Sequence, residues 1–245
     1  MTYCVALYLE EGLVFLSDTR TNAGVDHIAT FPKSFVVEKP GERALVLMTA
    51  GNLATTQAVV NEVIEGRGAG ANGETTLANV ESMVGAAELV GAAVRRVHQR
   101  DGQSLRASDI RFDATLILGG QIKGRPMRLF QIYPEGNFIE ASVETPFLQV
   151  GEHKYGKPIL DRALTHETSI AHGVKLALVS MDSTLRSNLT VGLPIDLTTY
   201  HRDSLKIGLR RRIAEDDEYF AMLRNRWSDS LRGALEASPD PDWPT

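Results

Sequence analysis

One cysteine, Cys4, is all the chain carries, so no intrachain disulfide can form. A reducing compartment fits that scarcity. No run approaches the ~20 apolar residues of a membrane span. The apolar stretch over residues 2–9 is too short for a signal peptide and lacks a basic start and a cleavage site. The six histidines, His27, His98, His153, His166, His172 and His201, show neither HExxH nor paired ligand spacing, so neither a metal nor a cofactor is expected. Positive charge is not in excess either. The net charge is −5, which gives no support for a nucleic-acid partner. The one basic cluster, Arg210-Arg211-Arg212, reads as a solvated face or a subunit contact. A nucleotide-binding motif is missing as well. The glycines of GRGAGANGE follow a helical stretch instead of a strand, so this segment reads as a loop. No membrane partner is expected.

What remains is an ordinary globular composition. The 245 residues are 43% apolar and 23% charged, enough for one large domain with a core of its own. The first fifty residues read as strands. TYCVALYL, the turn EEG and LVFLSD form a hairpin signal. Both faces of the first strand are largely apolar, with Thr2, Cys4, Ala6 and Tyr8 on one and Tyr3, Val5, Leu7 and Leu9 on the other. A sheet covered on both sides explains that pattern. KSFVVEK, PGER and ALVLMTAG form a second pair. NLATTQAVVNEVIEG then suits a helix capped by Asn52. From TTLANVESMV to VRRVHQRDG the spacing of Leu77, Val80, Val84, Ala87, Val94 and Val97 predicts a long helix ended by Gly102. DATLILGGQI, RPMRLFQIYPEGNFIEAS and FLQVG return to strands. GKPILDRALT and SIAHGVKLALVSMD read as helices, LTVGLPIDLTTY as a strand, and IAEDDEYFAMLRNRWSDSLRGALEA as an amphipathic helix before a Pro-rich tail. Helices arrive in consecutive pairs, which excludes the alternating order of a doubly wound sheet. The order fits an α+β fold of two stacked sheets with helix pairs outside, a four-layer αββα sandwich.

Four features near the start carry possible chemistry. Thr2 follows Met1 directly, and removal of Met1 would give it a free amine beside its hydroxyl. Asp18 ends the second strand, and Lys33 opens the third. Each has a plain alternative: Thr is common at position 2, Asp at strand ends, and Lys on exposed edges. Together they form a chemical set. A Thr hydroxyl needs a base, and an α-amine titrating near ~7.7–8.0 supplies one at cellular pH. A neighbouring ammonium lowers that amine's pKa, and a carboxylate holds the ammonium in place. Gly51 in TAGNLA lies where a strand gives way to a helix, and its N–H can serve an oxyanion. A plain strand-to-helix turn would use Gly-Asn too.

With Thr2, SDTRT, the Lys opening the next strand pair and AGN at the first helix, the chain resembles the proteasome β-type family of N-terminal nucleophile hydrolases. MTYCV, DTRTNAGVD, AGNLATTQ, VGEHKYGKPILDR and MDSTLRSNLTVGLPIDL are similar to its bacterial Anbu branch, over essentially the whole length. The resemblance implies the same sandwich, with residues 1–236 as a single peptidase domain and 237–245 as the tail. It implies Thr2 as nucleophile and α-amine base, Asp18 and Lys33 as its supporting pair, and the Gly51 N–H as oxyanion donor. Asp182 matches the family's second carboxylate near the nucleophile. The family's Ser three residues later is Leu185 here, and Ser187 is the favoured substitute among Ser183, Thr184 and Ser187. Thr49 and Leu53 resemble positions lining the first specificity pocket. In VGEH, Glu152 stands where proteasome subunits commonly have Ser. These departures imply an activity differing in strength or substrate from a true proteasome.

The function implied is a cytoplasmic, bacterial threonine peptidase acting on peptides or unfolded proteins, assembled as a homo-oligomer in a ring or an open helix, with a separate ATPase as a conceivable partner. Met1 alone precedes Thr2 in the sequence, so its removal is the expected maturation step. Two readings compete: a catalytically silent structural subunit of such an assembly, and a hydrolase of small amides using the same nucleophile. Cys4, among apolar neighbours, reads as core packing.

Overall fold

The computed structural model describes residues 1–23, 27–67 and 74–243. Its strands are β1 (Tyr3–Leu9), β2 (Gly12–Asp18), β3 (Arg20–Ala23), β4 (His27–Thr30), β5 (Ser34–Lys39), β6 (Arg43–Gly51), β7 (Ala114–Ile122), β8 (Arg128–Ile132), β9 (Phe138–Glu140), β10 (Phe147–Gly151), β11 (Ile195–His201) and β12 (Ile207–Ile213). Its helices are α1 (Leu53–Glu65), α2 (Met83–Ala107), α3 (Lys157–Ala163), α4 (Ile170–Ser187) and α5 (Glu218–Glu236). The fold is mixed α+β. One five-stranded sheet runs β10-β1-β2-β11-β12, a second runs β5-β6-β7-β8-β9, and β3 pairs with β4 alone.

The two-sided apolar pattern of β1 has a direct structural cause. Tyr3, Val5, Leu7 and Leu9 pack with Leu160, Ala177, Leu178, Met181 and Phe220 from α3, α4 and α5. Cys4 and Ala6 point the other way, into a cluster with Val46, Met48, Ile117 and Leu129 of the second sheet. The outer face of that second sheet, through Leu45, Leu47, Leu116 and Leu118, meets α1 and α2 at Val59, Val63, Ala87, Val90 and Val94. The central strands β1, β2, β6 and β7 are therefore buried along nearly their whole length, and burial of so much apolar surface is the main term holding the elements together.

The structure corrects the reading of the long helix at both ends. It starts at Met83, not near residue 75, because Ser82 Oγ accepts the Gly85 N–H at 3.0 Å and caps it there. In the preceding turn Asn79 Oδ1 accepts the Thr76 N–H at 2.7 Å, a local bond that competes with helix. Leu77 and Val80 are still buried, but from this turn. Gly102 does not end the helix. It lies inside α2, where a Cβ would come within 2.6 Å of the His98 ring. The loop reading of GRGAGANGE falls mostly on residues 68–73, outside the described residues. Asn52 caps α1 as expected, its Oδ1 accepting the Thr55 N–H at 3.2 Å.

Two strand pairings carry no apolar alternation to betray them. β3 and β4 form a short hairpin straight after Asp18. β12 contains the three arginines and pairs with β11, with Asp196 opposite Arg212 and Thr198 opposite Arg210.

Candidate active site

Thr2 lies just before β1, 7% exposed, with its carbonyl accepting the Glu152 N–H at 2.6 Å. β2 runs antiparallel to β1, so the hairpin returns Asp18 to the level at which β1 begins. Asp18 Oδ1 accepts the Tyr3 N–H at 3.0 Å. It also accepts the Lys33 ammonium at 2.8 Å, in a pair whose side chains are 6% and 0% exposed. The Arg20 carbonyl takes a second Lys33 proton at 2.6 Å. Lys33 is thus held by two strand ends and by the segment that leads into β5. Burial pushes the Asp18 carboxyl above its ordinary range, against the opposing pull of the Lys33 ammonium and the Tyr3 N–H. Burial and the Lys33 charge together lower the Met1 α-amine, while Asp18 acts in the opposite direction.

Beside the Lys33–Asp18 pair lies a cavity of ≈ 640 Å³ lined by Thr2, Arg20, Thr21, Lys33, Thr49, Gly51, Leu53, Asp113 and Gly151 among others. Gly51 has φ +118°, and a Cβ there would sit 2.3 Å from the Asp113 carbonyl oxygen. Only glycine fits this bend between β6 and α1. A Gly51→Ala substitution is expected to cost about 1–3 kcal/mol from backbone strain alone, read as a lowered thermal midpoint. An unchanged midpoint would mean that the bend relaxes without cost.

Six of the eight residues singled out in the sequence come together here: Asp18 and Lys33 as a hydrogen-bonded pair, and Thr2, Gly51, Thr49 and Leu53 with Lys33 on the cavity wall. Asp182 and Ser187 do not. Asp182 is buried in α4, where it accepts Arg186 Nε at 3.1 Å and Arg224 Nε of α5 at 2.5 Å. Its carboxylate is turned to the α4–α5 contact. Ser187 is exposed at the end of α4 and does not line the cavity.

Glu152, whose N–H meets the Thr2 carbonyl, pairs with Asn188 beside Thr2. Glu152 is 6% exposed; its Oε1 accepts the Lys154 N–H at 2.9 Å and its Oε2 accepts Asn188 Nδ2 at 3.0 Å. Burial pushes this carboxyl up, but the hydrogen bonds from Lys154 and Asn188 prevail and hold it below the usual carboxylate range. Asn188 Oδ1 accepts both the N–H and the hydroxyl of Thr190, at 3.0 and 2.6 Å. The Glu152–Asn188 bond fixes the chain beside Thr2 from the C-terminal end of α4. Gly151 matters for the same reason: with φ +84°, a Cβ would lie 2.1 Å from the Thr2 carbonyl oxygen. The VGEH segment held the signal for both, through a glycine and an acid where a hydroxyl was expected. Thr21 was not foreseen. Its buried Oγ1 has no hydrogen-bond partner among the described residues, and the residue borders the cavity.

Cys4, the single thiol of the chain, is fully buried, and its Sγ lies 3.6 Å from the Thr49 carbonyl oxygen. Burial pushes the thiol up, away from the reactive thiolate. Among the described residues no group of three or more His, Cys, Asp or Glu side chains could hold a metal ion.

Fold and site together define the chain as a proteasome-like β-subunit. Its structure superimposes on an Anbu Gly-1 mutant from Hyphomicrobium sp. strain MC1 with a TM-score of 0.92 at 51% identity, covering 99% of this chain and 100% of that one. Anbu (ancestral beta-subunit) from Yersinia bercovieri gives a TM-score of 0.91 at 50% identity over 99% and 100% of the two chains. A helical assembly of the Anbu complex from Pseudomonas aeruginosa gives 0.92 at 52% identity, covering 98% of each. No family model and no curated protein matches the chain. This chain belongs to the Anbu family, the ancestral β-subunits of the proteasome-like proteins.

Proposed function

We propose that this protein is a threonine-type peptidase of the N-terminal nucleophile class, with Thr2 exposed by removal of Met1. One observation carries the reading: Thr2 stands on the wall of the cavity beside a buried Lys33–Asp18 pair 2.8 Å apart. Thr2 Oγ attacks a peptide carbonyl while its proton passes to the Thr2 α-amine. The Gly51 N–H, at the head of α1, stabilises the oxyanion. The tetrahedral adduct collapses to an ester on Thr2 Oγ, and the amine half of the substrate leaves with the proton held by the α-amine. Water then attacks the ester and regenerates the free hydroxyl. Thr49 and Leu53 shape the first specificity pocket, which favours a small apolar side chain. Glu152 and Asn188 act through the backbone of Thr2 as positioning residues.

The three packed clusters support a four-layer αββα arrangement of the family type. The helical assembly of the Pseudomonas aeruginosa relative supports a homo-oligomer for this chain too. A bacterial cytoplasmic setting accords with the single buried thiol and with the lack of any helix long and apolar enough to cross a membrane among the described residues.

The pH dependence tests this reading. The base must be neutral to accept the Thr2 proton. Burial and the Lys33 ammonium, opposed by Asp18, lower the Met1 α-amine from its ordinary 8.0, and the Thr2 amine freed by removal of Met1 is expected to feel the same charges. A lowered pKa raises the neutral fraction at any given pH, so the acid limb of kcat/KM for a short peptide amide is expected to have its midpoint below 8.0. A midpoint at or above that value would argue against the α-amine as base.

A further inference from the structure

The two sheets leave a second opening, at the edge formed by β5 and β12. β5 is the outermost strand of its sheet and β12 of the other. Ser34 pairs with Met48, and Thr198 with Phe15; Met48 and Phe15 both belong to the cluster between the sheets. Cross-strand partners share a face, so Ser34 and Thr198 point into the gap from opposite sheets. Arg210 lies across from Thr198 and shares its face. These three residues border a cavity of ≈ 180 Å³ that also touches Pro32, Asp196, Arg211 and Arg212.

The chemistry of that cavity is one-sided. Ser34 is 8% exposed, and its buried Oγ has no hydrogen-bond partner among the described residues. Arg212 is neutralised by Asp196 through two bonds of 2.7 and 2.8 Å, and Arg211 by Asp217 at 2.6 Å on the helix side. Arg210 has no ion-pair partner among the described residues. The surplus is one guanidinium, a donor-only group, with two hydroxyls free to turn their protons inward. A buried hydroxyl without a partner is costly, and an acceptor-rich anion would supply the missing partner.

We propose that this opening binds a free tetrahedral oxyanion of the phosphate class. Arg210 supplies the charge, and Ser34 and Thr198 supply hydrogen bonds. The cavity has the volume of about six water molecules, enough for such an ion with part of its hydration shell. Asp196 does not repel the ion because Arg212 holds it in a bidentate pair. The site is separate from the Thr2 cavity, although Ser34 follows Lys33 directly in the chain.

Titration calorimetry of the full-length assembled protein with inorganic phosphate, at fixed ionic strength, tests the proposal. One saturable site per chain is expected, displaced by sulfate. Arg210→Ala should weaken it about tenfold or more, the scale of a lost charge-assisted bond, and Ser34→Ala several-fold. Arg210 is exposed, so its variant should keep the wild-type thermal midpoint. Arg226→Ala, which removes an exposed arginine of α5, should bind phosphate as wild type does. Undiminished binding by Arg210→Ala, or no saturable heat at all, would overturn the proposal. So would an assembly that excludes phosphate but dissociates on Arg210→Ala, since a carboxylate of a neighbouring copy would then be the occupant.

Discussion

Thr2→Ala is expected to remove peptide hydrolysis almost entirely, with kcat/KM falling by about 10³-fold or more, while the thermal midpoint stays near that of the wild type. The large effect follows from chemistry. The other hydroxyls lining the cavity, those of Thr21, Thr49 and Thr56, lie inside the chain and carry no α-amine of their own to act as base, and Cys4 is fully buried behind the first strand with its thiol pushed up. The small structural effect follows from contacts. Thr2 is fixed through its backbone carbonyl, which accepts the Glu152 N–H, and that bond survives truncation of the side chain. A variant that folds normally yet retains hydrolysis would assign the activity to another residue. A variant that loses hydrolysis only because it unfolds would leave the midpoint visibly lowered, so the two measurements separate these outcomes.

The second large effect concerns Lys33 and Asp18. Lys33→Met should destabilise the protein by about 3–5 kcal/mol, because it leaves the fully buried Asp18 carboxylate without its cation. Activity should fall by about 10²-fold or more, because the Thr2 amine then loses the charge that keeps it neutral. A double variant, Asp18→Asn with Lys33→Met, separates the two roles. The amide of Asp18→Asn still accepts the Tyr3 N–H, and no charge stays buried. Stability should largely return while activity stays low. If activity returned together with stability, the pair would be a structural element only.

These two predictions rest on residues that stand near each other in the chain, and that is why they were legible. Thr2 and Asp18 belong to one hairpin, and a two-stranded turn fixes their register without help from the rest of the fold. Gly51 could be read from the change of period at a strand-to-helix boundary. The two-sided apolar pattern of β1 foretold covering on both faces, which the helix-side and sheet-side clusters explain.

The remainder depended on distant contacts. Asp182 carried a family likeness, but its direction is set by Arg224 on α5, forty-two residues later. No local signal in VSMDST records that pull. The Glu152–Asn188 bond likewise joins residues thirty-six positions apart. The strand β12 was hidden because Gly208 to Arg212 are all exposed, so its identity lies in pairing with β11 and not in alternation. The helix boundary at Ser82 was a matter of weight. The apolar spacing continued upstream, and two side-chain bonds from Asn79 and Ser82 outcompeted it.

The central claim is that Thr2 becomes the N-terminal residue and reacts through its hydroxyl. Intact mass spectrometry of the assembled protein, before and after an electrophile directed at N-terminal threonine, tests it most directly. The account predicts a starting mass lacking Met1 and a single adduct that peptide mapping assigns to Thr2. Protein that retains Met1 and still hydrolyses peptides, or an adduct mapped to a residue other than Thr2, would contradict it.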